Sequence, residues 1–483
     1  MQPIYASITS CLFWVITCCS LLAQTPKDTL PFRCGAPAVT PAQAKAIQQQ
    51  AVLAFKRQMN ARKAAAGTIT YVPIRPHIVR RSDGTGGFTL AALNQRMAFT
   101  NSHYLLNGSG IQFYFAGNTP DYINNDQYYD AFPYTGGPAV DGRDATNAMN
   151  QYYVINLDGL FVNGIAYFPY DNIVSTRSFI VIGDGSQPIL GGHIVMPHEL
   201  GHNFNLLHTH GPANDSPTDE LVTRGDGANC SYAGDQLCDT PADPFYVPGG
   251  NNTIADANGC PQYDPNNTAR DANGNPYMPM LTNIMSYWFS RCGFDFTPGQ
   301  HERIQQALAL RQTHTAYSLN APATNVSPPT GLSAYVNGTS VTLTWQDNAN
   351  NEMGYFIERS NSPTAGFAAI DGVAPDVTTF TDHTTRPMTQ YYYRIRPSNT
   401  TTGSLSSVAY ISTCLVSMST IKAGLWNDPT VWSCNRVPLD GDVVSIRHQV
   451  TIPANYKATA QRVDFDSGTA IIYETNAQLK IGF

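Results

Sequence analysis

The chain has 483 residues, enough for two to four domains, each with its own core. Only 13% of residues are charged and the formal net charge is −7, with no basic run, which argues against nucleic acid as a partner. Abundant Gly (38), Pro (33) and Tyr (26) suit an extracellular protein rich in loops and strands better than a helical cytosolic enzyme.

Residues 1–23 read as a signal peptide. An apolar run from Cys11 to Thr17 continues through Leu21, Leu22 and Ala23, although no Lys or Arg precedes it. A membrane anchor, or lipoprotein processing at Cys18 or Cys19, is the alternative. No later segment approaches the length of a transmembrane helix, so a secreted protein is expected, either released or attached at the cell surface. Residues 24–66 hold a short loop and then a helix. Thr40 is its cap, Pro41 suits the first helical position, residues 42–65 are rich in Ala, Gln, Lys and Leu, and Gly67 ends it. This segment reads as a pro-segment or spacer.

From Thr68 the rhythm changes. Tyr71 to Val79 reads as a strand and Thr89 to Leu106 as a helix, with Leu90, Leu93, Met97 and Phe99 at helical spacing. Ile111–Phe115, Tyr152–Leu157 and Ser178–Ile182 read as further strands, giving an α/β layout with a twisted sheet. After His208 the chain is loop-rich to Asn283, and a helix follows from Pro298 to Leu310. Residues 320–326 are a linker by composition. Residues 327–413 are all-β and resemble a fibronectin type III domain, with Trp345 as core anchor and Tyr391, Tyr393 and Ile395 facing inward. Residues 414–483 are short strands of either a small sandwich or the start of a β-solenoid.

The chemistry concentrates at residues 198–208, His-Glu-Leu-Gly-His-Asn-Phe-Asn-Leu-Leu-His. His198 and His202 lie one helical turn apart on one face and can reach one metal ion. Glu199 is placed to take a proton from water activated by that ion. His208 reaches the metal only if the helix stops and turns. Asn205 stands where the turn falls, and asparagine tolerates the left-handed conformation better than most residues. A bare H-E-x-x-H also arises as a polar helix face; the third histidine at this offset favours zinc with an open coordination position. His193 and His210 are not needed as ligands, and His210 is expected to bond a loop carbonyl.

This motif resembles the extended zinc signature of metzincin metallopeptidases. Asn283-Ile284-Met285-Ser286-Tyr287 is similar to their methionine turn. Together with Asp235–Asp243 and Phe296–Gln300, it resembles the pappalysin family and its cytophagalysin branch, over residues 68–315. The resemblance implies a metzincin-like catalytic domain, with zinc on His198, His202 and His208. Glu199 would act as general base and then proton donor, Met285 as an apolar floor, and Tyr287 as oxyanion partner. It also implies structural Ca2+ near Asp235 and Asp243, with carbonyls near Gly234, Cys238 and Thr240, and interlocked disulfides Cys230–Cys260 and Cys238–Cys292. A third bridge would join Cys414 and Cys434.

Cys34, in Arg33-Cys34-Gly35-Ala36-Pro37, resembles the cysteine switch of related zymogens, whose thiolate takes the zinc position that water needs. The sequence also departs from the family. Asn205 replaces the usual glycine, Ala38 stands where the switch often has aspartate, and Trp288–Arg291 contains no acid, so a strict Arg or Lys preference is not expected.

The division expected is a leader (1–23), a propeptide (24–66), a catalytic domain (67–319), a linker (320–326), a fibronectin type III domain (327–413) and a C-terminal β module (414–483). The function expected is a secreted zinc metalloendopeptidase made as a latent zymogen. It would cleave protein or peptide substrates, with the β modules anchoring it to a surface, protein or polysaccharide. An adhesion protein with an inactive metal domain, or a zinc amidase for cell-wall peptides, is the alternative.

Overall fold

Thr40 opens the first helix of the computed structural model. Its hydroxyl accepts a hydrogen bond from Gln43 N, and Pro41 takes the first helical position, where a missing N–H costs nothing. The structure describes residues 34–61, 69–106, 109–183, 193–212, 216–288, 292–337, 340–386, 389–413, 417–434 and 436–482. The expected leader, Arg33 and Cys414 lie outside the described residues. On α1 (Pro41–Ala61), Ala44, Ile47, Ala51 and Ala54 recur at helical spacing and are buried against Phe168, Leu207, Ala309 and Leu310.

A seven-stranded sheet follows. It comprises β1 (Ile69–Arg80), β2 (Leu105–Leu106), β3 (Ser109–Phe115), β4 (Asp121–Asn124), β5 (Met149–Val154), β6 (Gly164–Ala166) and β7 (Arg177–Val181). β1 pairs in parallel with β3, β4 and β5, and β5 pairs in parallel with β7. β6 closes one edge, antiparallel to β7. Because side chains alternate along a strand, Ile78, Tyr153 and Ile180 face one core while Val79, Tyr152 and Phe179 face another. The first core is covered by α2 (Leu90–His103), α4 (Val195–Asn203) and α5 (Pro298–Arg311). The second lies on the side of the short helix α3 (Asp126–Asp130). After α4 the chain is mostly loop, with one small hairpin of β8 (Thr253–Ala255) and β9 (Pro261–Tyr263).

The next segment is all-β. β10 (Thr330–Asn337), β11 (Ser340–Gln346) and β14 (Thr379–Asp382) form one antiparallel sheet. β12 (Tyr355–Ser360), β13 (Ala368–Val373), β15 (Gln390–Pro397) and β16 (Ala409–Ser412) form the other. Trp345, Tyr391, Tyr393 and Ile395 share the core between them. The named strands of the last segment pair in parallel: β17 (Ser417–Ser419), β19 (Val443–Ile446) and β22 (Arg462–Phe465); β18 (Gly424–Leu425), β20 (Val450–Ile452) and β23 (Ile471–Tyr473); β21 (Lys457–Ala460) and β24 (Gln478–Ile481). Three parallel stacks around Trp426 and Trp432 are a solenoid, not a sandwich.

The sandwich does not hang from its linker. Met353, Phe356 and Ala369 belong to the core that also contains Leu93, Met97 and Phe115. Gly372 lies so close to α2 that a Cβ there would overlap the Asn94 backbone. The Asn94 amide donates to Met353 O at 2.7 Å, and Phe115 N donates to Ser398 O at 2.9 Å. Arg396 is fully buried, with Nε on Glu358 Oε1 at 2.6 Å and Nη2 on Gln112 Oε1 at 3.2 Å. Phe356→Ala should therefore cost about 3–5 kcal/mol and lower a single calorimetric transition shared by sandwich and sheet. Two separate transitions, with only one shifted, would contradict the shared core.

Candidate metal centre

Helix α4 is short because its end is built in. Leu206 N donates to Gly201 O at 2.8 Å and Asn205 N to His202 O at 2.9 Å, the two bonds of a Schellman turn. Asn205 takes the left-handed position with φ +67°. The same turn presents Leu206 O to His202 Nδ1 at 2.8 Å, while Ile284 O accepts from His198 Nδ1 at 2.8 Å. With Nδ1 protonated in each, the Nε2 atoms carry the lone pairs with which these rings could hold a metal ion. His208 arrives from beyond the turn, its Nε2 at 3.1 Å from that of His202. One donor atom from each of His198, His202, His208 and Cys34 lies within 4.8 Å of the others, and all four residues are buried. Burial pushes His202 down to about 4 and His198 and His208 well below the usual imidazole range, so all three are neutral, as ligands must be.

Met285 and Glu199 are equally constrained. A Cβ on Gly201 would overlap Met285 Sδ, so glycine lets the methionine sit directly under the helix. Met285 N is held by Asn283 Oδ1 at 2.9 Å, and the amides of Asn283 and Gln300 exchange two hydrogen bonds that tie this turn to α5. Buried Arg311 on α5 donates to Asn203 O at 2.8 Å, satisfying a carbonyl at the end of α4. Burial raises Glu199 to about 8. Its Oε1 is buried with no hydrogen-bond partner among the described residues. That oxygen faces Gly164 on the edge strand, where a Cβ would collide with it.

The segment carrying Cys34 lies across this centre. Cys34 Sγ donates to Glu199 Oε2 at 3.4 Å, and burial holds the thiol well above its ordinary range, with the Glu199 charge adding to the shift. Cys34 N donates to the Tyr287 hydroxyl at 3.0 Å, and that hydroxyl donates to Cys34 O at 3.3 Å. Gly35 N donates to Gly164 O at 2.8 Å, so the segment adds to the β6 edge. Further along, Gln48 accepts from Asn205 Nδ2 at 2.9 Å.

Two expectations are corrected. The disulfides are Cys230–Cys238 and Cys260–Cys292, not the interlocked pair; turns over 229–236 bring the Cα atoms of the first pair to 5.0 Å, and those of the second stand at 5.6 Å. Cys434 is also disulfide-bonded. His210 makes no carbonyl bond: its ring stacks on His208 at 4.9 Å, and neither nitrogen has a partner among the described residues. The acids expected to hold calcium are satisfied otherwise. Thr240 and Leu237 N donate to Asp235; Thr209, Trp288 and Phe245 N donate to Asp243. Thr240 O also accepts from Arg224, and among the described residues Asp235 and Asp243 belong to no group of three or more His, Cys, Asp or Glu side chains within 4.8 Å.

Sequence reasoning missed two residues here. Gly164 gave no signal, because only a contact across the site makes glycine necessary. Glu220 lies in the loop and is 1% exposed, its Oε2 without a partner among the described residues. Burial and then Asp235 push it up from 4.5 to about 9; burial lifts Asp235 to about 7 and Asp243 to about 6. Raised carboxyl pKa values mean the folded state binds more protons than the unfolded one. Their stabilisation is full at low pH and is lost as pH rises through the folded values, between about 5 and 9. In calcium-free buffer, Glu220→Gln should flatten the decline of melting temperature across that window. An unchanged slope would contradict a raised Glu220 pKa in the folded state. If the Glu199 carboxyl is held by this close approach, Gly164→Ala should displace it and change the pH at which it titrates; an unchanged Glu199 titration would mean it is not held by this contact.

A buried three-histidine set beside an unsatisfied glutamate is the arrangement of a metal-dependent hydrolase. No family model matches the chain. It is 27% identical over 289 residues to an extracellular metalloprotease of Pyricularia oryzae, covering 58% of this chain and 89% of that protein. It is 28% identical over 310 residues to an extracellular metalloprotease of Podospora anserina, covering 59% and 92%. A solved Fn3-like protein from Clostridium thermocellum is 29% identical over 18% of this chain and 92% of its own, with a TM-score of 0.17. The named relatives support a metalloprotease.

Proposed function

We propose that the protein is a secreted zinc metalloendopeptidase of the metzincin type, similar to pappalysins, and that residues 24–66 keep it latent. The observation that carries this reading is the convergence of Cys34, His198, His202 and His208 beside the unsatisfied Glu199 Oε1. The extracellular metalloprotease relatives, and the absence of any membrane-length apolar helix among the described residues, agree with it. The sandwich is read as a fibronectin type III domain.

When bound by His198, His202 and His208, zinc supplies Lewis acidity, acidifying water and polarising the scissile carbonyl. Glu199 takes the proton of the attacking water on its Oε1 side and returns it to the leaving amine. Tyr287, once released from Cys34, donates its hydroxyl to the developing oxyanion. The edge strand β6 supplies the Gly164 carbonyl that a substrate backbone would pair with in place of Gly35. The pro-segment withholds these together: the Cys34 sulfur lies among the three histidines and against Glu199, the Cys34 peptide group holds Tyr287, and Gly35 N occupies the Gly164 carbonyl; loss of the thiol proton would let the sulfur serve as a metal ligand. An adhesion protein with an inert metal domain would need neither Glu199 nor such a block.

Glu199→Ala should keep zinc and lower casein cleavage by the processed enzyme by about 10²–10⁴-fold. Cys34→Ala should raise the activity of the unprocessed chain. Zinc-loaded, propeptide-free enzyme that cleaves no protein would overturn the endopeptidase reading, and unchanged latency in Cys34→Ala would overturn the switch.

A further inference from the structure

A second carboxylate cluster lies far from the histidines, where the sandwich meets the catalytic domain. Asp347 follows β11, Glu352 lies in the loop before β12, and Asp376 is in the turn between β13 and β14. One oxygen from each lies within 4.8 Å of the others. The turn reaches the loop because Asp376 adopts the left-handed conformation, φ +60°, and because Trp345 N donates to Thr378 O at 3.0 Å.

Hydrogen bonds account for only part of the cluster. Asp347 Oδ1 accepts from Ala349 N at 3.0 Å and from the Tyr355 hydroxyl at 2.6 Å. Asp347 Oδ2 is buried with no partner among the described residues. Glu352 is only 6% exposed, and its Oε2 is likewise buried without a partner there. None of the ion pairs among the described residues reaches any of the three acids. Burial and the neighbouring carboxylates push Glu352 up. Two buried carboxylate oxygens without donors, beside a third acid, are costly unless a cation joins them. All-oxygen donors suit a hard cation, and a spread of up to 4.8 Å is about two Ca–O distances of about 2.3–2.6 Å.

We propose that Asp347, Glu352 and Asp376 bind Ca2+, and that this ion fixes the 347–353 loop against the catalytic domain. The loop is the joint between the two bodies. Asn351 Nδ2 donates to Asn325 O in the linker at 3.1 Å. Asn399 Nδ2 bridges Asn351 O at 2.8 Å and Gly117 O at 3.1 Å. Met353, one residue after Glu352, is buried in the shared core and accepts from Asn94. A cation on Glu352 therefore stiffens the chain at the point where the sandwich docks. The site is independent of the zinc centre and of the Glu220 cluster.

The test uses the full chain, zinc-loaded and carrying Glu199→Ala to prevent autolysis. Terbium is the optical probe, because the Tyr355 hydroxyl is 2.6 Å from Asp347 and can sensitise it. Terbium emission excited through tyrosine should be displaced by Ca2+. It should fall at least tenfold in Glu352→Gln and in Asp376→Asn, the second an exposed change that leaves the core intact. It should persist in Asp243→Asn. By calorimetric titration both first variants should bind one Ca2+ fewer per chain and lose the rise in melting temperature that Ca2+ gives the parent. Equal Ca2+ stoichiometry and equal Ca2+-dependent stabilisation in parent, Glu352→Gln and Asp376→Asn would overturn the proposal.

Discussion

Two backbone carbonyls, those of Leu206 and Ile284, accept the Nδ1 protons of His202 and His198, and this pair of hydrogen bonds aims both Nε2 atoms at one point. Each carbonyl sits in a separately stabilised turn. Leu206 belongs to the Schellman turn that ends α4, and Ile284 lies in the turn held to α5 by the Asn283–Gln300 amide pair. The geometry of the centre is thus inherited from two backbone conformations and does not depend on side-chain rotamers alone. Gly201 and Gly164 extend the same constraint, one making room for Met285 and the other for Glu199. Small residues are required there because protein interiors are packed too densely to absorb a methyl group without a shift.

On the proposed reading, latency follows from the same geometry. A single residue of the pro-segment meets the ligand set, the base and the tyrosine, and its neighbour pairs with the edge strand. Helix α1 supplies a second attachment through an apolar stripe against α5 and through Gln48 on Asn205. Asn205 then has two tasks, since it closes the helix in a conformation glycine would adopt more easily and also offers an amide to the pro-segment. A glycine there would keep the turn and lose the contact. The residue that departs from the family pattern is the one that ties the turn to the inhibitor.

What was legible in the sequence was local. The i, i+4 spacing of His198 and His202, the break at Asn205, the cap at Thr40 and the helix start at Pro298 follow from helix geometry, and each is present. Apolar runs located β1, β3, β5 and β7 within a few residues, while the short strands β2, β4 and β6 were not read. Non-local features were not legible. Disulfide pairing depends on Cα separations that turns set, so the pairing implied by the family resemblance misled. Gly164 and Glu220 owe their roles to contacts across the fold. Phe356 and Met353 look like ordinary sandwich residues, yet they pack into the core of the seven-stranded sheet, because nothing in a strand's alternation says which body its second face will meet. The acids at 347, 352 and 376 escaped for the same reason: three loops bring them together.

The central claim is that Cys34 sulfur completes a four-ligand zinc centre in the unprocessed chain. Zinc K-edge X-ray absorption on the full-length, zinc-loaded protein tests it most directly. The account expects three nitrogen ligands and one sulfur at about 2.3 Å, with the sulfur shell lost in Cys34→Ala. A first shell of nitrogen and oxygen alone in the unprocessed protein would contradict it.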